Sequence, residues 1–379
     1  GRGTYWRRFH LAQSLAGLGH QVTLVSQSGS PTRVSIEKTS GDFQIILSPR
    51  FRRPGKHDGG WSPEDILWRS AWILRQKYDI IHAFAHRPNV SLPWMLRRLF
   101  SSKTAFFADW DDWWTRGGII TSRRRFRFLD TLEATLLEER IHRLARGVSA
   151  ASSVLQKRAL DLGIPPEKIL LLPQGARADA IPVLDRRDCR KKLNLPEQAP
   201  IINFMGYAVW DVQILLEAFE LVRRKFPSAL LQVIGYDKDG VMPQLIAASS
   251  QRDAIIQQGQ VDYERVADYL GAADVQVLPM EDRIDNRARW PVKLGDYLSS
   301  GRPVVVQDVG DAAQLAARHQ TGEVTGHHPA ELAEGICKIL QDRQKADAMG
   351  RRARKVAEEE MQWSQRARDL LKFYIKLTL

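Results

Sequence analysis

One stretch of the chain, residues 289–306, combines residue types that can bind an anion. Pro291 suits the first turn of a helix, where its missing N–H costs nothing, and Gly301 suits the left-handed position after a helix end. A helix N-terminus gathers unpaired N–H groups and partial positive charge, which favours phosphate. Lys293 adds a charge in the first turn, and Asp296, about one turn later, can accept hydrogen bonds from sugar hydroxyls. A solvated surface helix followed by the buried strand 304–306 is the simpler alternative.

A second stretch places three carboxylates and three indoles in six residues, directly after the predicted strand 104–108. Trp faces can stack on sugar rings and carboxylates can bind hydroxyls, and in parallel α/β folds ligands gather where strands end. The Asp-x-Asp spacing also fits a divalent metal, which we discount because no further ligand cluster stands nearby, and Asp112 can instead cap the next segment. The residues are Asp109, Trp110, Asp111, Asp112, Trp113 and Trp114.

Two histidines accompany the predicted strand 79–84. His82 lies within the strand, where a packed or backbone-bonded histidine is expected rather than a catalytic one. His86 follows the strand end, where it can reach a ligand. We therefore add His86 to Asp111 and Asp112 as a candidate for orienting or deprotonating an attacking hydroxyl.

Strands and helices alternate along the chain, which is typical of a doubly wound α/β fold. A helix over 5–17 and a strand over 21–26 follow Gly3, which permits close approach of the backbone to a ligand. A first strand is expected to be missing upstream of this helix. Residues 149–155 are predicted to begin another helix. The charged, proline-containing stretch 176–199 is predicted to be the inter-domain linker with a short helix. The predicted domains are 1–180 and 181–362, with a closing helix over 363–379.

The net charge of +12 is unevenly distributed. Residues 1–180 contain 28 of the 56 Lys and Arg but only 16 of the 44 Asp and Glu, so they carry the whole excess. This favours an anionic partner such as a membrane surface, a lipid phosphate or nucleic acid, although charge kept for solubility would give the same count. The basic and apolar stretch 123–129 can lie on an anionic bilayer or form the solvated start of a helix.

Composition excludes several other classes. Cys189 and Cys337 are too few for a disulfide framework or a cysteine metal site, which suits a reducing compartment, and we expect a cytoplasmic protein. No long apolar run predicts a membrane span or a signal peptide. No recognisable nucleic-acid module accompanies the basic half, so a nucleic-acid binder is the least favoured class.

Short motifs spanning nearly the whole chain resemble the glycosyltransferase 4 group, which consists of retaining enzymes that use nucleotide-sugars. The resemblance implies the GT-B fold, an α/β fold with two Rossmann-like domains whose parallel sheets face each other across a cleft. The motifs lie at residues 19–22, 79–82, 173–175, 216–219, 272–275 and 278–279, and most strongly at 291–305.

The resemblance also implies roles for the two halves: the C-terminal domain binds the nucleotide diphosphate-sugar and the N-terminal domain binds the acceptor. Asp296 takes the place of the second glutamate of the family's Glu-x7-Glu motif, which contacts the ribose, whereas Ala288 replaces the first. The family's Arg and Lys that grip the diphosphate should follow Gly206, but neither is present, and Lys293 and Arg289 are the nearest candidates to replace the lost charge. The implied donor-binding residues are Gly3, Gly206, Tyr207, Arg289, Trp290, Pro291, Lys293 and Asp296.

We therefore expect a glycosyltransferase that moves a sugar from a nucleotide diphosphate-sugar to an acceptor hydroxyl, with retention, without a metal and without a cofactor. The acceptor is expected to be a glycan or a lipid-linked or cell-envelope molecule, bound by Asp109, Trp110, Trp113 and Trp114. Peripheral contact with the inner face of the cell membrane is expected through the basic half. The alternatives are a non-catalytic scaffold or partner subunit with a decayed donor site, and a sugar-nucleotide epimerase on the same fold.

Overall fold

The computed structural model describes residues 2–29, 32, 35–50, 60–101, 103–121, 127–206, 209–235 and 240–378. Contacts divide the chain into two compact units. Unit 1 comprises Gly1–Gln174, Ala288–Trp290 and Trp363–Leu379, and unit 2 comprises Gly175–Arg287 and Pro291–Gln362. The division thus falls between residues 174 and 175, where the sequence predicted 180 and 181, and the closing helix is grouped with unit 1.

Unit 1 alternates helices and strands, and one of its helices contains a single π-helical turn, Ala134–Glu138. The elements are α1 (Arg2–Ala16), β1 (Val22–Gln27), β2 (Ile36–Ser40), β3 (Phe43–Ser48), α2 (Pro63–Arg75), β4 (Ile80–Ala83), α3 (Pro88–Leu99), β5 (Ala105–Trp110), α4 (Arg127–Glu133), α5 (Glu139–Leu144), β6 (Gly147–Ala150), α6 (Ser153–Asp161) and β7 (Ile169–Leu171).

Two sheets are formed by the described strands of unit 1. In the first, β1 pairs in parallel with β3, and β3 pairs antiparallel with β2. In the second, β4, β5, β6 and β7 are parallel neighbours in that order. All six residues of β5 are buried, as expected for a strand in the middle of a parallel sheet.

Unit 2 follows the same alternation. Its elements are α7 (Arg186–Lys192), β8 (Ile201–Met205), α8 (Val209–Lys225), β9 (Leu230–Ile234), α9 (Val241–Ala248), β10 (Ile255–Gly259), α10 (Val266–Ala272), β11 (Val275–Leu278), α11 (Ile284–Ala288), α12 (Val292–Ser299), β12 (Val304–Gln307), α13 (Gly310–His319), β13 (Gly322–Thr325), α14 (Pro329–Gln341) and α15 (Arg343–Glu359). The last helix of the chain, α16 (Trp363–Thr378), is part of unit 1.

The strands of unit 2 form one six-stranded parallel sheet in the order β10, β9, β8, β11, β12, β13. Its core packs side chains of β8, β9 and β11 against those of α8 and α14, including Phe204, Phe219 and Ile336, which are fully buried. In unit 1, α16 packs Leu370, Phe373 and Tyr374 into a core that contains Phe107. Parallel sheets in both units confirm the predicted α/β class.

The local predictions around α12 are confirmed with a shift of one residue. Pro291 is the N-cap of α12 instead of lying in its first turn, and Gly301 follows the helix end with φ +67°. A side chain at Gly301 would also collide with Val183, 2.9 Å from the added Cβ. Val304, Val305 and Val306 are fully buried in β12.

Two local predictions in unit 1 are wrong. Gly3 lies inside the first turn of α1 instead of in a loop before it. Residues 149 and 150 belong to the buried strand β6, and the helix α6 begins only at Ser153, capped by Ser152, whose hydroxyl accepts from the Leu155 N–H. Small residues suit β6 because α16 packs closely on it: a Cβ on Gly147 would lie 2.7 Å from the Phe373 ring.

Candidate functional site

The first turn of α12 lies against the end of β8 in unit 2. The Lys293 ammonium stands 4.5 Å from the centroid of the Phe204 ring. It is so close to Gly206, the residue after β8, that a Cβ there would overlap Nζ. One turn further along, the Tyr297 hydroxyl accepts a hydrogen bond of 2.7 Å from the Met205 N–H, and burial raises the pKa of this phenol. The helix therefore holds a positive charge at the carboxyl end of β8.

Asp296 is buried beside Arg177, which is not among the site residues predicted from the sequence. Its Oδ1 accepts from Arg177 Nε at 2.9 Å, and Arg177 also lies 3.7 Å from the centroid of the Tyr263 ring. Burial raises the pKa of Asp296, and the attraction of Arg177 opposes that rise. The only signal for Arg177 in the sequence is its place just after the motif at 173–175. The predicted contact of Asp296 with a ribose stays a prediction.

The remaining predicted donor residues are divided between the units. Pro291, like Lys293, belongs to unit 2, whereas residues 288–290, including Arg289 and Trp290, are grouped with unit 1. Trp290 is buried, and its indole Nε1 has no hydrogen-bond partner in the described part of the chain. Gly3 lies in unit 1, and Tyr207 lies outside the described residues. The structure therefore brings together Gly206 and Lys293, and places Pro291 and Asp296 on the same helix.

Asp109, predicted to bind the acceptor, is instead an interior residue of unit 1. Arg7 donates to both of its oxygens at 2.8 Å, and Ser149 donates to Oδ1. Both members of the pair are buried, Arg7 at 0% and Asp109 at 3% exposure. Burial disfavours the carboxylate, but Arg7 more than compensates and lowers the pKa of Asp109. Asp109 therefore has a structural partner in Arg7, and its acceptor role stays a prediction.

Trp110 is also an interior residue, and its acceptor role likewise stays a prediction. Its indole N–H donates to Glu138 Oε1 at 2.9 Å, and its ring stacks on His142 with centroids 4.1 Å apart. Glu138 ends the π-helical turn and accepts further hydrogen bonds from the Thr115 N–H and from Arg158 at 3.1 Å each. Burial opposes ionisation of Glu138, but the surrounding positive and donor groups lower its pKa.

Trp113 and Trp114 are half-buried. The guanidinium carbon of Arg158 lies 4.1 Å from the centroid of Trp113 and 4.6 Å from that of Trp110, so this cation contacts two indoles. Trp114 donates to Asp111 Oδ1 at 3.4 Å. The acceptor roles of Trp113 and Trp114 stay predictions.

The structure brings three of the predicted unit 1 residues to one place and adds a carboxylate. The His86 ring centroid lies 5.7 Å from that of Trp114, which is bonded to Asp111. His86 Nε2 lies 3.2 Å from Glu133 Oε1, an oxygen that also accepts from Arg87 at 3.0 Å. Glu133 ends α4 just before the π-helical turn, and it is not among the site residues predicted from the sequence. Such turns occur frequently at functional sites.

Asp112 is half-buried and follows Asp111 directly in the chain, and its catalytic role stays a prediction. In the described residues, no group of three His, Cys, Asp or Glu side chains is placed to hold a metal ion. Among the described helices, none is both long and apolar enough to cross a membrane.

His82 is packed, as the sequence predicted. Its Nδ1 lies 2.5 Å from the Tyr374 hydroxyl and its Nε2 lies 3.3 Å from Ser149 Oγ. Burial lowers the pKa of His82 from 6.5 to about 4, although nearby Asp109 opposes the change.

This shift predicts acid sensitivity of the fold. Between pH 6.5 and about 4 the unfolded chain binds a proton at His82 that the folded chain does not bind. The free energy of unfolding should therefore fall as the pH is lowered through this interval. His82 should contribute at most about 3 kcal/mol to this fall. Urea unfolding at several pH values measures this slope. His82→Gln should flatten it, whereas His20→Gln, at an exposed histidine, should not. An identical slope in the His82 variant would contradict the prediction.

Comparison with known proteins decides the family. A glycosyl transferase 4-like domain model matches residues 2–175, and a model for glycosyl transferases group 1 matches residues 185–356. Together they cover nearly the whole chain. The chain belongs to the glycosyltransferase 4-like family.

Several relatives of this glycosyltransferase are known. D-inositol 3-phosphate glycosyltransferase of Xylanimonas cellulosilytica is 23% identical, over 97% of this chain and 90% of that protein. Among solved structures, sucrose-phosphate synthase of Thermosynechococcus elongatus matches with a TM-score of 0.74 and 20% identity, over 100% of this chain and 93% of that one. HepE of Anabaena, solved with UDP and glucose, matches with a TM-score of 0.69 and 16% identity, over 94% of this chain and 100% of that one.

These structural similarities identify the GT-B fold, which the sequence resemblance implied. The family identifies the chain as a glycosyltransferase enzyme, in preference to the scaffold and epimerase alternatives. This glycosyltransferase differs from the family's motifs at two places that the structure describes. Ala288, which replaces the first glutamate, is fully buried. Lys293 stands at Gly206, after which the family's Arg and Lys are missing.

Proposed function

We propose that this glycosyltransferase takes its sugar from a nucleotide diphosphate-sugar and transfers it to an acceptor hydroxyl, with retention and without a metal or cofactor. The observation that carries the proposal is the position of Lys293 Nζ against Gly206 at the end of β8. Ligands of parallel α/β sheets bind beyond the carboxyl ends of the strands. Lys293 is therefore suited to hold the diphosphate in place of the family's absent Arg and Lys.

The reaction requires negative charge to be stabilised on the departing nucleoside diphosphate. A preorganised ammonium and the N–H groups at the start of α12 can provide this without a bound metal. Retention follows from the resemblance to enzymes thought to use attack from the front face, for which no protein nucleophile is needed. UDP is the first nucleotide to test, because HepE of Anabaena was solved with UDP and glucose.

We assign the acceptor side to the cluster in unit 1. His86 faces Glu133, an arrangement in which a carboxylate orients an imidazole that can take a proton from an attacking hydroxyl. Asp111, bonded to Trp114, remains the second candidate for contacting the acceptor, with Asp112 beside it. The curated relative from Xylanimonas suggests a phosphorylated polyol as one acceptor class to test alongside glycans and lipid-linked acceptors.

A thermal-shift screen with UDP-, GDP- and ADP-sugars tests the donor. A rise in melting temperature with one nucleotide class is expected and identifies the base. Transfer to candidate acceptors is then followed by mass spectrometry, the product anomer by NMR, and metal dependence by adding EDTA. No shift with any nucleotide-sugar would contradict the donor proposal, an inverted anomer would contradict retention, and loss of transfer in EDTA would contradict metal independence.

We also propose contact with an anionic membrane at its inner face through the basic segment 123–129, which lies largely outside the described residues. Replacing Arg123, Arg124, Arg125 and Arg127 with Gln should reduce binding to phosphatidylglycerol vesicles in a flotation assay, because each cation near such a surface contributes about 1 kcal/mol. Binding to neutral phosphatidylcholine vesicles should not change. Equal flotation of variant and parent chains on anionic vesicles would refute this contact.

A further inference from the structure

An open pocket of about 670 Å³ lies in unit 1 at the amino-terminal edge of the four-stranded sheet. It is formed where β5 begins, where α3 and α5 end, and where α16 approaches the sheet. This edge is opposite the carboxyl ends of the strands, where residues 109–114 lie. The volume is within the range of about 300–1,000 Å³ that is usual for small-molecule sites.

The pocket is lined by four cations and by no acidic residue among those described. Three of the cations, Arg98, Arg143 and Lys168, are exposed and make no side-chain hydrogen bond or ion pair with the described residues. The fourth, Arg146, donates from Nε to the carbonyl of Leu377 near the end of α16. Exposed cations elsewhere in the chain often pair with a neighbouring carboxylate, as Lys157 does with Asp161 at 2.8 Å.

The carbonyl ends of nearby helices neutralise only part of the positive charge of these four side chains. The carbonyl ends of α3, α5 and α16 converge here, and each carries about half a negative elementary charge that falls off within one turn. Three such ends offset less than two of the four positive charges. The remaining positive potential favours an anion inside the pocket.

Two large apolar side chains are exposed beside the pocket. Leu99 and Phe100 follow Arg98 directly in the chain and are 78% and 68% exposed. Cations next to exposed apolar side chains are typical of surfaces that contact lipid headgroups.

We propose that this pocket binds the phosphate group of an anionic ligand, supplied either by a lipid headgroup or by a soluble phosphate compound. Guanidinium groups suit this chemistry because their planar N–H donors match phosphate oxygens in pairs. The pocket lies within unit 1, and Lys293 lies in unit 2, so the proposal is independent of the donor site.

The test compares the Lys293→Ala chain with the same chain carrying Arg98→Gln and Arg143→Gln. The Lys293 background removes the cation proposed to hold the donor diphosphate. Two probes are used: phosphatidylglycerol vesicles by flotation and inorganic phosphate by calorimetry. Loss of the Arg98 and Arg143 charges should weaken the binding of at least one probe by about tenfold or more. Because neither arginine has a described partner, folding should be unaffected.

The probe whose binding is weakened identifies whether the phosphate belongs to a lipid or to a soluble compound. If vesicle binding falls and a Leu99→Ser/Phe100→Ser variant also loses it, a lipid headgroup is the ligand. If only phosphate binding falls, the ligand is soluble. As a matched control, Arg75→Gln/Lys77→Gln removes two exposed cations of unit 1 that do not line the pocket and should leave both probes unchanged. Binding of both probes by the Arg98/Arg143 variant at the level of its parent would overturn the proposal.

Discussion

Lys293→Ala is expected to weaken the binding of UDP, or of whichever nucleoside diphosphate the chain prefers, by more than about tenfold, equivalent to about 1.4 kcal/mol. In the family this chemistry is shared between two cations that are missing here. The Lys293 ammonium, placed at Gly206 by the packing of α12 on β8, must therefore provide much of the attraction. Transfer should slow at least as much, since charge on the leaving group grows in the transition state. Calorimetry and steady-state kinetics measure the two effects.

The matched control is Lys355→Ala, at an exposed lysine on α15. It removes the same charge from unit 2 and should leave nucleotide affinity unchanged. Lys293 also lies over the Phe204 ring, a contact of about 0.5–2 kcal/mol. The melting temperature of each variant must therefore be compared with that of the parent. If folded Lys293→Ala binds the nucleotide as tightly as the parent, Lys293 has no role in donor binding and the main support for the proposed site is lost.

Asp109→Ala is expected to lower the free energy of unfolding by about 3–5 kcal/mol, because it leaves the fully buried Arg7 guanidinium without its charge partner. The variant also removes the acceptor for Ser149. Urea unfolding at neutral pH measures the effect. By contrast, if Asp109 bound the acceptor, as its sequence position suggested, its loss would impair transfer while leaving stability nearly intact.

The double variant Arg7→Met/Asp109→Leu tests whether the unpaired Arg7 charge causes the loss of stability. Replacing both members of a buried ion pair with apolar side chains of similar size is often close to neutral, so much of the stability should return. Asp42→Ala, at an exposed aspartate of the same unit, controls for loss of a carboxylate. A single Asp109→Ala variant within about 1 kcal/mol of this control would show that the pair does not stabilise the fold.

Much of the fold could be predicted from the sequence because its signals are local. Gly301 permits the left-handed conformation that ends α12, and the three valines after it have the β-branched side chains of a buried strand. The strand β6 was not predicted because its formation depends on contacts with distant parts of the chain. Its residues, Gly-Val-Ser-Ala, include only one β-branched side chain, and they form a strand because they pair with β5 and β7 in the sheet, on which α16 packs from more than 200 residues later in the chain.

The candidate site could be predicted in part. Lys293 is one residue past the start of its helix, and that position alone indicated an anion site. That its ammonium stands at Gly206 depends on how α12 packs on β8, a contact between segments about 90 residues apart. Arg177 and Glu133 were missed because each acquires its significance from a distant partner: Asp296 for Arg177, and His86 for Glu133.

The sequence by itself determined the α/β class, the family and the helix that presents Lys293, because those depend on periodicity, turn residues and short motifs. The tertiary structure alone decided which carboxylate of 109–114 pairs with a buried cation. Asp109 and Asp111 look alike in the sequence, as parts of one acidic and aromatic stretch, and both are buried. Asp109 is the member that meets Arg7, 102 positions away, in the interior of unit 1, and a buried carboxylate keeps its charge only where such a partner meets it.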